Sequence, residues 1–189
     1  MYRQELTQLI RSTPWLMSML EAVRACDPPD WLVGAGVIRN LVWDHLHQYQ
    51  TPTPLADIDV IFFDPQDVRP ERDRMVQQQL AQTLPLVPWE ATNQAAVHLW
   101  YEDVFGFSVP PFHSSEEAVG TWPETATSVA VRLQPSDDIY IVAPFGLSDL
   151  FNMVLRRNQC RVTREQFVQR LHSKQILRKW PHVQVIYDE

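Results

Sequence analysis

The chain has 189 residues, 45% of them hydrophobic, with 5 glycines against 15 prolines and a formal net charge of −7. That much apolar material excludes wholesale disorder, and the length suits one domain. The acidic balance argues against a general nucleic-acid coat protein, since phosphate binding needs clustered positive charge, and so few glycines argue against a fold built on glycine-dependent turns. The charge is uneven: residues 156–179 hold six Arg and two Lys against one Glu, a net +7, which leaves −14 elsewhere. That segment reads either as a solvated helix face or as a holder of anions. Cys26 and Cys160 form no CxxC pair, the first residues lack an apolar leader, and no apolar run reaches membrane-spanning length. The expectation is a cytoplasmic chain with no membrane segment.

In chain order, Leu6, Leu9, Ile10, Leu16, Met17 and Leu20 recur at helical spacing, which predicts helix over residues 3–25 with a break near Thr13-Pro14. Asp27-Pro28-Pro29-Asp30 stops it. Trp31-Leu32-Val33 reads as a short strand entering a turn at Gly34, and Val37, Ile38, Leu41, Val42 and Leu46 as a helical stripe. Leu55 to Phe63 is predicted as a strand, residues 67–83 as a polar helix, and Leu86 to Thr92 as an edge strand because of Pro88. A helix is expected from Gln94 to Val104, and a helix start at Ser114 or Ser115 ahead of Glu116 and Glu117. Val129 to Leu133 and Ile139 to Val142 read as two strands around a Pro135-Ser136-Asp137-Asp138 turn, and the remainder as helical, with a capping box of Thr163 and Gln166. The sum is an α+β (mixed α/β) fold, a small mixed sheet flanked by helices and not a regular βαβ array.

The chemistry centres on Ala56-Asp57-Ile58-Asp59-Val60-Ile61-Phe62-Phe63. Strand alternation sends Asp57 and Asp59 to one face and Ile58, Val60 and Phe62 to the other, while Asp64 has the opposite parity and faces away. Adjacent carboxylates raise each other's proton affinity, and a hard cation such as Mg²⁺ or Mn²⁺ neutralises them. The same pattern fits an exposed strand end with incidental acids. Upstream, Trp31 to Asn40 reads as a strand, a small-residue turn and a helix start. At Gly34-Ala35-Gly36 backbone N–H groups can approach a phosphate, the helix dipole favours the anion, and Arg39 in the first turn reaches a phosphate oxygen. A plain strand-to-helix turn uses small residues too. Arg39 occupies the place of a third glycine, so this is no dinucleotide fingerprint, and no Gly-Lys-Ser/Thr follows.

A small-residue turn followed one helix later by D-x-D on a strand resembles the polymerase-β-like nucleotidyltransferase superfamily. Leu32 to Phe63 is similar to the first motifs of tRNA nucleotidyltransferases. Most of the chain, about residues 30–182, resembles a family of mostly bacterial nucleotidyltransferase-like proteins. Gly34-Ala35-Gly36, Arg39-Asn40, Trp43-Asp44, Asp57-Ile58-Asp59-Val60, Trp89 to Gln94, Val97 to Tyr101, Trp122 to Ala126 and Ala143 to Leu147 are the matching stretches. The resemblance implies a single nucleotidyltransferase-like domain over 1–189, with a core over about 30–145 and C-terminal helices over about 146–182. It implies Asp57, Asp59 and a third carboxylate, for which Glu90 is the candidate, as catalytic and metal-binding residues for Mg²⁺ or Mn²⁺. Gly34, Ala35, Gly36, Arg39, Asn40 and Asn93 are implied to bind the nucleotide. The implied reaction moves a nucleoside monophosphate from an NTP to a hydroxyl of an acceptor (a small molecule, an RNA end or a protein) with release of pyrophosphate. A non-catalytic nucleotide-binding or interaction module on the same fold is the alternative. Two features depart from the superfamily pattern: Gly-Ala stands where Gly-Gly or Gly-Ser is usual, and His45 to Pro54 lengthens the gap to the D-x-D strand. Trp100 or Tyr101 would stack on a base or serve as core or rim aromatics. Lys174, Arg178 and Lys179 approach phosphates or stay solvated.

Overall fold

The computed structural model describes residues 1–187. Two helices open the chain, α1 (Tyr2–Arg11) and α2 (Pro14–Cys26), divided where the sequence predicts. Pro14 occupies the first turn of α2, where its missing N–H has no helical partner to lose. Then follow β1 (Leu32–Gly34), α3 (Gly36–Leu46), β2 (Ile58–Phe62), α4 (Pro70–Thr83) and β3 (Trp89–Asn93). A 3₁₀ turn (Gln94–Ala96) leads into α5 (Val97–Phe105), and Ser114 caps α6 (Ser115–Val119). The chain continues through β4 (Ala130–Leu133), β5 (Ile139–Val142), α7 (Ser148–Phe151), β6 (Val154–Arg156), α8 (Arg164–Ser173), α9 (Ile176–Lys179) and β7 (Gln184–Ile186).

Five strands form one sheet in the order β3-β2-β1-β4-β5; β2 and β3 are parallel and the other neighbours antiparallel. The sheet is mixed and flanked by helices, as the sequence predicts. β3 lies at the edge, where Pro88 forfeits no ladder bond. β2 is shorter than expected: its pairing starts at Ile58, opposite Trp89 of β3, so Leu55, Ala56 and Asp57 approach as an irregular segment. The expectation of an all-helical end is corrected by β6 and β7, which pair in parallel as a separate two-stranded sheet. Val154-Leu155-Arg156 is too short to show a period, and its partner lies far along the chain. The capping box at Thr163 and Gln166 forms as predicted.

One face of the sheet packs into the main core. Ile58, Val60 and Phe62 of β2 and Trp89 and Ala91 of β3 join a buried cluster that runs from Leu6 to Val183. The other face buries Leu32, Ile61, Ala130 and Val142 against Val119. Trp43 of α3 and Trp180 after α9 are wholly buried and meet edge to face, 5.3 Å between centroids. Each indole N–H is bonded, Trp43 Nε1 to the Leu150 carbonyl at 2.9 Å and Trp180 Nε1 to Asp44 Oδ1 at 2.7 Å. These tryptophans and Asp44 fasten the basic C-terminal segment to α3.

Candidate active site

A cleft of about 670 Å³ opens on the second face of the sheet, at the ends of β1, β2 and β3. Its floor follows from strand register. Gly34 pairs with Asp59, and Asp59 with Glu90, so the three residues form one row across three strands. Neighbouring strands lie about 4.8 Å apart. Asp59 and Glu90 therefore sit side by side, and Ile61 and Thr92, two residues on, repeat the arrangement; all four line the cleft. Asp57, in the segment leading into β2, lines it too.

Burial drives the Asp59 carboxyl up to about 6; Asp57 and Glu90 add to the rise, and Lys174 and Arg170 offset part of it. Three hard-oxygen donors crowd around a deficit of positive charge, which is a donor set suited to Mg²⁺ or Mn²⁺. Among the described residues no group of three or more His, Cys, Asp or Glu side chains is arranged to hold a metal as it stands. Mg²⁺ commonly takes only one or two carboxylates and completes its shell with water and substrate phosphates, so the donor set still fits.

The turn after β1 is built from two constraints. A Cβ on Gly34 would lie 2.6 Å from Ala130 Cβ and 2.7 Å from the Val129 carbonyl, so the absent side chain lets β1 lie flush on β4. Gly34 thus shapes the turn from behind and does not line the cleft, whereas Ala35 and Gly36 do. Ala35 has φ 56° and ψ −121°, a conformation that favours glycine. Its N–H is already donated to the Val129 carbonyl at 3.0 Å. The free donors at the N-terminus of α3 are therefore the N–H groups of Gly36, Val37 and Ile38, which have no partner within the helix and no side-chain cap.

Arg39 and Asn40 line the cleft but are held from below. The Arg39 guanidinium lies between the rings of Trp43 and Trp180, at 5.5 and 5.4 Å, and donates to Asn40 Oδ1 at 2.9 Å. Its buried Nε has no hydrogen-bond partner. Burial pulls its pKa below the ordinary value, chiefly against the raising effect of Glu124. Asn93 is not brought to the site. Its side chain, 1% exposed, accepts from the backbone N–H groups of Asp64 and Ala95 and donates to the carbonyls of Asp64 and Asp67. The reason is parity: Asn93 follows Trp89 and Ala91 toward the core face, and the cleft face belongs to Glu90 and Thr92. Asp64 turns away from the cleft to meet Arg72 at 2.8 Å.

Of the basic residues that the sequence offers to phosphates, Lys174 and Lys179 line the cleft and Arg178 does not; Arg161 and Arg170, which sequence reasoning misses, complete a basic wall. Arg170 is anchored by an ion pair to Glu124, which is 4% exposed, at 2.8 Å. The charge run was legible, but the contacts that fold it over the floor are long-range. Trp100, Tyr101, Phe105 and Phe112 line the end of the cleft near α5.

A family model described as nucleotidyltransferase matches residues 21–185. Among solved structures, the chain is 28% identical to one whose NMR structure "reveals a CCA-adding enzyme head domain", with a TM-score of 0.81, covering 98% of this chain and 96% of that one. It also shares its fold with a CCA-adding enzyme in complex with CTP, at 12% identity and a TM-score of 0.54, and with one in complex with ATP, at 15% and 0.51. The chain covers 96% and 92% of its own length in these two matches but spans only 43% and 40% of those enzymes. No curated protein sequence matches it.

Proposed function

The chain belongs to the nucleotidyltransferase family, and on that premise we propose that it moves a nucleoside monophosphate from an NTP to an acceptor hydroxyl, using a divalent metal. One observation supports this above others: Asp59 and Glu90 stand in register, with Asp57, in the same cleft as the uncapped N-terminus of α3.

Each residue then has a task. The N–H groups of Gly36, Val37 and Ile38 and the helix dipole hold the triphosphate, with Lys174 and Lys179 across the cleft. Asp57, Asp59 and Glu90 would hold Mg²⁺ or Mn²⁺, which when bound neutralises the carboxylates and lowers the pKa of the acceptor hydroxyl. Glu90, on the edge strand, accepts the hydroxyl proton. The hydroxyl oxygen attacks the α-phosphorus in line; the new P–O bond forms as the bond to the β-phosphate oxygen breaks, and pyrophosphate leaves with that electron pair toward the lysines. Ile61, Trp122 and Val162 add apolar side chains to the cleft lining.

CTP and ATP are the first nucleotides to test, because CCA-adding enzymes of the same fold bind them. Calorimetry with each nucleotide and Mn²⁺ should show binding to the wild type and none to Asp57→Ala/Asp59→Ala. Equal binding to the double variant overturns the site. The second reading, a nucleotide-binding module without turnover, draws on the Ala35 N–H, which Val129 already occupies and the phosphates cannot use. Pyrophosphate release from labelled NTP, dependent on Asp59, excludes that reading.

A further inference from the structure

We infer that the acceptor is a small molecule that carries its hydroxyl next to a flat ring, and that the ring seats on Trp100 and Phe105 at the α5 end of the cleft. The inference rests on the reading above and deepens it.

The argument begins with the row Gly34, Asp59, Glu90. The turn and the N-terminus of α3 lie at the Gly34 end, and Glu90 on edge strand β3 at the other. In-line displacement puts the nucleophile opposite the leaving group. With pyrophosphate on the α3 side, the acceptor hydroxyl must come in over Glu90, the side to which β3 delivers α5. What waits there is aromatic. Trp100 and Phe105 line the cleft while remaining 38% and 46% exposed. The Tyr101 ring packs between them, 6.1 Å from Trp100 and 4.4 Å from Phe105. Arg161 covers the next ring along, 4.4 Å from the Phe112 centroid. Aromatic faces left in solvent at the mouth of a cleft offer stacking to a planar group.

Charge selects among planar acceptors. Glu102 and Asp103 are exposed on the same helix, outside the cleft lining. The chain as a whole carries −7, and its one basic wall already faces the phosphates of the donor. A polynucleotide would need its own cationic track beyond the platform; Arg161 is committed to the Tyr101 and Phe112 rings, residues 97–120 hold no Lys or Arg, and the exposed charges of α5 are the carboxylates Glu102 and Asp103. A neutral ring-bearing alcohol meets no such repulsion.

The test uses the full chain saturated with a non-hydrolysable ATP analogue and Mn²⁺, titrated with adenosine as the flat-ring alcohol, with ribose as the control that lacks an aromatic ring, and with an eight-residue oligoadenylate RNA. Adenosine should bind, ribose at least tenfold more weakly, and the RNA no more tightly than adenosine. Trp100→Ala and Phe105→Ala should each weaken adenosine at least tenfold, and Trp100→Phe should recover most of the loss. Both side chains are partly exposed, and circular dichroism verifies that the variants fold. Adenosine binding that survives both alanine variants, no adenosine binding at all, or RNA binding tenfold tighter with a steep salt dependence each overturns the inference. If the analogue binds and adenosine does not, the acceptor subsite fails and the donor site stands. If the analogue fails to bind while adenosine binds through Trp100, the reading beneath fails and the ring site remains.

Discussion

Asp57, Asp59 and Glu90 on the cleft floor and Arg161, Arg170, Lys174 and Lys179 on its wall are oppositely charged, and they are held by different means. The floor is part of the sheet: Asp59 and Glu90 are fixed by the backbone pairing of β2 with β3 and cannot shift without slipping a strand. The wall is attached through side chains, chiefly Trp180 against Trp43, its bond to Asp44, and the Glu124–Arg170 ion pair. A site made this way has one half fixed by backbone pairing and one half fixed by side-chain packing, so damage to the wall should weaken binding by a route that leaves the carboxylates in place.

The largest effect is expected from Trp180→Ala. Emptying a wholly buried indole costs about 3–5 kcal/mol, and chemical denaturation should show it. Nucleotide affinity should fall with it while the sheet survives, as amide exchange in β1 and β2 would report. Arg170→Met comes next. It leaves Glu124 buried without its partner, a loss of roughly 2 kcal/mol, and adding Glu124→Gln should recover part of that. Recovery of stability without recovery of nucleotide binding would show that Arg170 also serves the ligand.

The floor is broken differently. The Asp59 carboxyl is raised to about 6, so the stability that goes with its proton is present below the ordinary carboxylate range and is lost as pH rises through about 6. In chelator, the wild type should lose stability between pH 4 and 7. Asp59→Asn should flatten that profile and melt higher at pH 8, by about 1 kcal/mol after allowing for partial exposure. A flat wild-type profile refutes the strained floor. The smallest effect belongs to Lys174→Ala, an exposed side chain. Melting should not change, and nucleotide affinity should drop roughly two- to fivefold with a shallower salt dependence.

The same division explains how much was legible. Strand period put Asp59 on the cleft face, because alternation is a local property; Asp57 precedes β2 and Asp64 follows it, yet Asp57 lines the cleft and Asp64 turns away to Arg72, where the alternation predicted them. Glu90 was named from its place in a short apolar segment and from family resemblance, and the register puts it beside Asp59. Asn93 was misplaced because β3 runs one residue beyond Thr92, where the sequence reading ended it, so Asn93 takes the strand's alternation and the parity opposite to Glu90. The basic wall showed as a charge run without a direction, since nothing near Lys174 in the chain says that Trp180 will bond to Asp44. β6 and β7 escaped for the same reason.

Gly34 lies flush on Ala130, and Ala35 gives its N–H to Val129. The bend that, on the proposed function, would face the phosphates is therefore set when β1 docks on β4, before any nucleotide arrives. Folding absorbs the cost of holding Ala35 at φ 56°, of the order of 1–3 kcal/mol, and the ligand meets a mould already cast. Association should then run close to lock-and-key, with little ordering entropy and a fast on-rate, and the loop itself gives no leverage for distinguishing one nucleotide from another.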